Sequence, residues 1–122
     1  MWTYSQTTGK LTDPQGNDAG IGYSGNGADI NDPAEQDERG HGPIPQGIWS
    51  IGDFFDDHGG KGPIVAHLLP VAGTETFGRS GFMIHGDNKA GDRSASEGCV
   101  ILNHSLRSAI ASSGDKTLLV TA

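Results

Sequence analysis

Gly81-Phe82-Met83-Ile84-His85 and Gly98-Cys99-Val100-Ile101-Leu102 decide the reading of this chain. Each is an apolar run of strand length, and each carries one reactive side chain at an end. His85 closes the first run and Cys99 opens the second. A polar loop from Asn88 to Glu97 lies between them. If the two strands are neighbours, imidazole and thiol meet at the mouth of one pocket. Working outward, Pro63 to Val71 is a longer apolar run that also ends near a proline. Upstream of it, Pro43 and Pro45 fix an extended entry into Ile48-Trp49-Ser50-Ile51-Gly52, which suits a buried strand. Asn103 is placed to cap a short helix from His104 to Ser112, with Leu106 and Ile110 on one face and Gly114 at its end. Thr117 to Thr121 reads as a last strand.

The N-terminal segment has the same character. Trp2, Tyr4 and Gln6 alternate with Thr3, Ser5 and Thr7, as a half-buried strand requires. Thr8-Gly9 and Pro14-Gln15-Gly16-Asn17 are turn signals. Ala19 to Ser24 reads as a third short strand with Ile21 and Tyr23 on one face. Residues 25 to 42 are acidic and nearly free of apolar side chains, which marks a long loop.

Composition supports a mostly β protein. Of 122 residues, 20 are glycine and six are proline. That is about a sixth glycine, against a typical ~7%, and it disfavours long helices. No internal repeat or linker divides the chain, so residues 1–122 read as one domain. The net charge of −7 and only eight Lys and Arg argue against nucleic acid and against an anionic membrane surface. No stretch approaches the ~18 apolar residues of a membrane span. Met1 to Gln6 carries no basic region and no apolar run, so no cleavable signal peptide is expected. The single cysteine excludes an intrachain disulfide.

A Cys-dependent hydrolase needs a base for the thiol proton and backbone N–H groups facing the developing oxyanion. His85-Gly86-Asp87 and Ser96-Glu97-Gly98-Cys99 supply these parts. Gly98 permits a tight turn that presents the Cys99 N–H. The competing reading of the same residues is a core histidine and a buried, inert thiol.

The pattern His85-Gly86 … Ser96-x-Gly98-Cys99-apolar resembles the active-site motif of the L,D-transpeptidase, or YkuD-like, family. Pro45-Gln46-Gly47-Ile48-Trp49 resembles an upstream element of that family. Trp2-Thr3-Tyr4, Gly9-Lys10-Leu11, Gly22-Tyr23-Ser24-Gly25, Gly42-Pro43-Ile44-Pro45, Gly78-Arg79-Ser80-Gly81-Phe82 and Ile84-His85-Gly86-Asp87 are more similar still to the small L,D-transpeptidase-like toxins of type VI secretion. The resemblance implies a compact YkuD-like β-sandwich or barrel with one short helix after the nucleophile strand. It implies a cysteine enzyme acting on the tetrapeptide stems of peptidoglycan, as an L,D-carboxypeptidase, an L,D-transpeptidase, or both. Cys99 is then the nucleophile and His85 its base, with Asp87 or a backbone carbonyl orienting the imidazole. Ser96 places that carbonyl or hydrogen-bonds nearby, Gly98 and Cys99 form the oxyanion site, and Gly86 lines the substrate cleft. No metal or cofactor is implied. Expected partners are the stem peptides, a cognate immunity protein and a component of the secretion apparatus. The protein would be made in one cytoplasm and act in the periplasm of a target bacterium.

The chain departs from the family in two places. Many members have Ser-His-Gly-Cys and an arginine two residues after the cysteine, where this chain has Glu97 and Ile101. Arg79 and Arg93 are the alternatives for binding a stem carboxylate. Among the other histidines, His41 and His58 fall in loops, His67 reads as a core residue of its apolar strand, and His104 falls in the first helical turn. The Asp29-Ile30-Asn31-Asp32 run lacks the pattern of a calcium loop. Two other functions fit the residues. One is a zinc peptidase using His85, Asp87, His104 and Cys99. The other is a non-catalytic wall-binding module.

Overall fold

The computed structural model describes residues 1–58 and 60–122. The N-terminal meander forms as the alternation predicts: β1 (Trp2–Ser5) and β2 (Lys10–Thr12) pair antiparallel, with Trp2, Tyr4 and Leu11 buried. Gln6 continues the inward face and is fully buried. Its side chain is satisfied there, donating to the carbonyl oxygen of Ile44 at 2.8 Å and accepting from Gln46 Nε2 at 3.0 Å.

The expected strand from Ala19 to Ser24 is two strands. β3 (Asp18–Ile21) pairs with β2, and β4 (Tyr23–Ser24) pairs elsewhere. Ile21 is 69% exposed and Tyr23 only 5% exposed, so they do not share a buried face. The break is at Gly22, where the backbone passes so close to the next strand layer that an added Cβ would lie 2.1 Å from the Ile101 carbonyl oxygen.

The acidic stretch contains two short 3-10 turns, Gly27–Asp29 and Pro33–Glu35, the second capped by the Asp32 side chain. There follow β5 (Gly47–Ile51), β6 (Phe55–Asp57), β7 (Gly62–Pro70), β8 (Met83–His85) and β9 (Val100–Ile101). The helix α1 (His104–Ser113) begins at Asn103, whose side chain accepts from the Leu106 N–H at 2.9 Å, and ends at Gly114 in the left-handed region. Leu106 and Ile110 face the core as expected, and Arg107 is buried beside them. β10 (Thr117–Thr121) completes the chain's elements.

The strand order is β3-β2-β1-β10-β5-β7-β8-β9-β4, with β6 added on β7. The two ends of that order, β3 and β4, are joined by Gly22 alone. The fold is therefore mostly β, a nearly closed, barrel-like sheet with one short helix. Its core gathers Trp49, Tyr4, Ile44, Ile84, Val100, Leu102, Ile110 and Leu118. Trp49 meets Phe82 edge to face at 4.9 Å between ring centres, and its indole N–H reaches the Pro45 carbonyl.

His67 departs from expectation. It lies on the exposed side of β7 and stacks on Phe55, with ring centres 5.4 Å apart. Ala66 and Leu68 take the inward positions, so the period of two turns His67 outward. Among the described residues, no helix is long and apolar enough to cross a membrane.

Candidate active site

β8 and β9 run parallel with Ile84 opposite Val100 and His85 opposite Ile101. Ile84 and Val100 are both fully buried in the core. Residues one position away on each strand face the other side of the sheet. His85 and Cys99 accordingly share a wall of one cavity of about 680 Å³.

His85 is 2% exposed. Its Nδ1 lies 2.7 Å from the Gly86 carbonyl oxygen, so Nδ1 carries the proton and donates. Nε2 is buried and has no hydrogen-bond partner among the described residues. Burial pushes the imidazole pKa down, opposed by the Gly86 hydrogen bond and reinforced by the charges of Lys61 and Arg107. The resting ring is thus neutral, with the Nε2 lone pair unused. Cys99 is half-buried, and its Sγ donates weakly to the Gly81 carbonyl at 3.8 Å. Burial pushes the thiol pKa up from its ordinary value. Both shifts favour a neutral thiol and a neutral imidazole over a thiolate–imidazolium pair. A base with a free lone pair and a protonated thiol on one cavity wall can perform general-base nucleophilic chemistry.

Ser96 organises the loop that delivers Cys99. It is fully buried. Its hydroxyl accepts from the Gly25 N–H at 2.9 Å and the Gly98 N–H at 3.1 Å, and it donates to the Cys99 carbonyl at 2.6 Å. The Ser24 hydroxyl adds a bond to the Gly98 carbonyl at 3.0 Å. Gly98 has φ +135, and a Cβ there would come within 2.6 Å of Arg79 Nη2 and 2.8 Å of the Phe82 ring. Its N–H is committed to Ser96, which leaves Cys99 as the candidate oxyanion donor of the two.

The family model of the Tlde1 domain matches residues 19–120. The chain belongs to the Tlde1 domain family. These are L,D-transpeptidase-like effector domains of type VI secretion. No curated protein matches the chain. In this Tlde1 domain the matched segment runs from β3 into β10 and contains all the described residues that line the cavity. β1 precedes it and packs in parallel beside β10.

The structure separates the other site residues expected in the Tlde1 domain. Gly86 and Asp87 line the cavity with His85 and Cys99. Asp87 does not orient His85, because its Oδ1 accepts from the Tyr23 hydroxyl at 2.6 Å and the Asn88 N–H at 2.9 Å. The Gly86 carbonyl holds the imidazole instead. Arg79 lines the cavity but is 7% exposed, and its two terminal nitrogens donate to the carbonyls of Gln36, Pro43, Gly42 and Glu97. Those nitrogens fasten the acidic loop to the Cys99 loop and are not open to a substrate carboxylate. Arg93 lies over the Tyr23 ring, 5.3 Å from its centre, and is not among the lining residues. The set proposed for zinc is not gathered: among the described residues no three His, Cys, Asp or Glu side chains are placed to hold a metal ion.

Sequence reasoning missed Tyr23, Lys61, Arg39 and Arg107. Tyr23 joins Asp87 to the Ala95 N–H at 3.2 Å, and burial with the Asp87 hydrogen bond pushes its hydroxyl up to about 12. Lys61 and Arg39 line the cavity from separate loops. Arg107 donates to the Leu102 carbonyl at 2.9 Å behind Gly86. Arg107 is the one that left a signal, since it sits beside Leu106 on the helix face predicted to be apolar.

Proposed function

We propose that this Tlde1 domain, residues 1–122, is a cysteine enzyme that acts on the tetrapeptide stems of peptidoglycan, as L,D-carboxypeptidase or L,D-transpeptidase. The observation that carries this reading is the state of the pair. His85 is neutral and pinned through Nδ1 to the Gly86 carbonyl, its Nε2 has no partner among the described residues, and His85 and Cys99 line one cavity. The reaction begins when Nε2 takes the thiol proton and Sγ attacks the carbonyl of the third stem residue, at its L-centre. The Cys99 N–H receives the developing oxyanion. The tetrahedral intermediate collapses, Nε2 returns the proton to the departing amine, and D-alanine leaves. A thioester remains on Cys99. Water then restores the free thiol and a tripeptide, whereas a D-amino acid or a neighbouring stem amine forms a new amide. Family membership supports a secreted type VI effector; action in a target periplasm and a cognate immunity protein in the producer are part of the proposal.

The test is mass spectrometry of muropeptides incubated with wild type and with Cys99→Ala. Loss of D-alanine from tetrapeptides, or its exchange for an added D-amino acid, by the wild type alone is expected. Tetrapeptides left intact by both proteins would overturn the reading.

A further inference from the structure

We propose that Lys61 is the anion anchor of this cavity, its ammonium taking the terminal carboxylate of the stem peptide. This rests on the reading above and assigns the substrate contact that Arg79 and Arg93 do not make. The carboxylate of the departing residue is three bonds from the carbonyl that Sγ attacks, or about 4 Å away. Its partner must therefore reach into the space shared by Cys99 and His85. Among the described residues three cations line the cavity: Arg39, Lys61 and Arg79. The terminal nitrogens of Arg79 are consumed by four backbone carbonyls. Arg39 leans on the Gly78 carbonyl at 3.3 Å and follows Asp37 and Glu38 in the acidic loop.

Lys61 has no such commitment. Its ammonium makes no ion pair among the described residues. Its backbone N–H is fixed on the Asp57 carboxylate at 2.9 Å, immediately before β7, so the side chain starts from a defined point on the rim. The Lys61 charge bears on both reacting groups, adding to the burial that lowers the pKa of His85 and partly offsetting the burial that raises that of Cys99. Two carboxylates also line the cavity. Asp87 is engaged by Tyr23 and Asn88, and Glu97 is exposed. A chain of net charge −7 repels an anionic peptide as a whole, and a local cation at the nucleophile offsets this where the substrate must dock.

The test uses the chain's single cysteine. Cys99 is alkylated with anionic iodoacetate and with neutral iodoacetamide, reagents of nearly equal size, and the ratio of the two rates is taken. The ratio cancels the thiol's own ionisation, which any change at Lys61 also alters. Lys61→Met is expected to lower the ratio about threefold, the effect of one partly screened charge at short range, and Lys61→Arg to retain it. On tetrapeptide, Lys61→Met is expected to raise KM more than it lowers kcat. A stem ending in a carboxamide is expected to show no difference between the two proteins. An unchanged alkylation ratio overturns the anchor even if the wild type trims tetrapeptides. A lowered ratio in a protein that leaves every muropeptide intact keeps the anion site and removes the peptidoglycan substrate.

Discussion

At the scale of single residues, the pair of neutral groups fixes how the protein responds to pH. His85 must be neutral to accept a proton, and its folded-state pKa lies below the ordinary 6.5. The acid limb of kcat/KM is therefore expected below pH 6.5 in a pH–rate profile. The same shift acts on stability. Above 6.5 the ring is neutral in both states and costs nothing. As pH falls from 6.5 through the folded value, the unfolded chain takes the proton first and stability drops. Urea melts of wild type and His85→Gln at pH 7 and pH 5 should show a smaller loss in the variant. Ser96 provides a second expectation. Ser96→Ala leaves two N–H groups and one carbonyl of the loop without that partner, at a cost of about 2–3 kcal/mol. Activity should fall further than stability explains, because the Cys99 carbonyl loses its anchor. His85 and Cys99 were legible in the sequence because each adjoins a glycine and ends or begins an apolar run, and Ser96 through its place in the Ser96-x-Gly98-Cys99 pattern. Lys61 and Tyr23 were not. Lys61 reaches the cavity, and Tyr23 reaches the cavity-lining Asp87, from segments distant in sequence, and nothing beside Lys61 in its glycine-rich loop distinguishes it from a solvated surface lysine.

At the scale of elements, glycines decide where strands start and stop. Gly22→Ala and Gly16→Ala separate two causes of glycine dependence. Gly16 has φ +88 and open space around it, so its substitution costs only the backbone conformation, about 1 kcal/mol. Gly22 needs no unusual φ but faces the Ile101 carbonyl and Leu102 at contact distances no side chain tolerates. Its replacement is expected to cost about 3 kcal/mol or more in chemical denaturation. This contrast also explains the strand that the sequence joined and the structure splits. The residues from Ala19 to Ser24 alternate in sequence but not in burial, because the change of partner from β2 to β9 depends on a backbone approach that leaves no local pattern. The helix was legible almost to the residue, since Asn103 and Gly114 are capping residues whose effect is local.

At the scale of the whole molecule, Arg79 ties three distant segments together. One guanidinium binds carbonyls at Gln36, at Gly42 and Pro43, and at Glu97, and it also lies 5.1 Å from the centre of the Phe82 ring. The loop it holds is self-repelling: Asp29, Asp32, Glu38 and Asp37 together push the Glu35 carboxyl up. Arg79→Lys keeps the charge but cannot span that fork of acceptors. It is expected to lower stability by about 2–3 kcal/mol. Limited proteolysis should then cut first between residues 29 and 40, where the wild type is expected to resist. The sheet's class was legible in its glycine content and short alternating runs, whereas its closure was not, because it is set by which strands meet. The molecule also holds a single sulfur nucleophile, and that thiol is protonated at rest. Peroxides oxidise thiolates far faster than thiols. On the proposed reaction Cys99 ionises only while a substrate occupies the cavity, and the free protein is expected to resist sulfenylation. Its thiol would then stay intact through oxidising surroundings without a reductase to repair it.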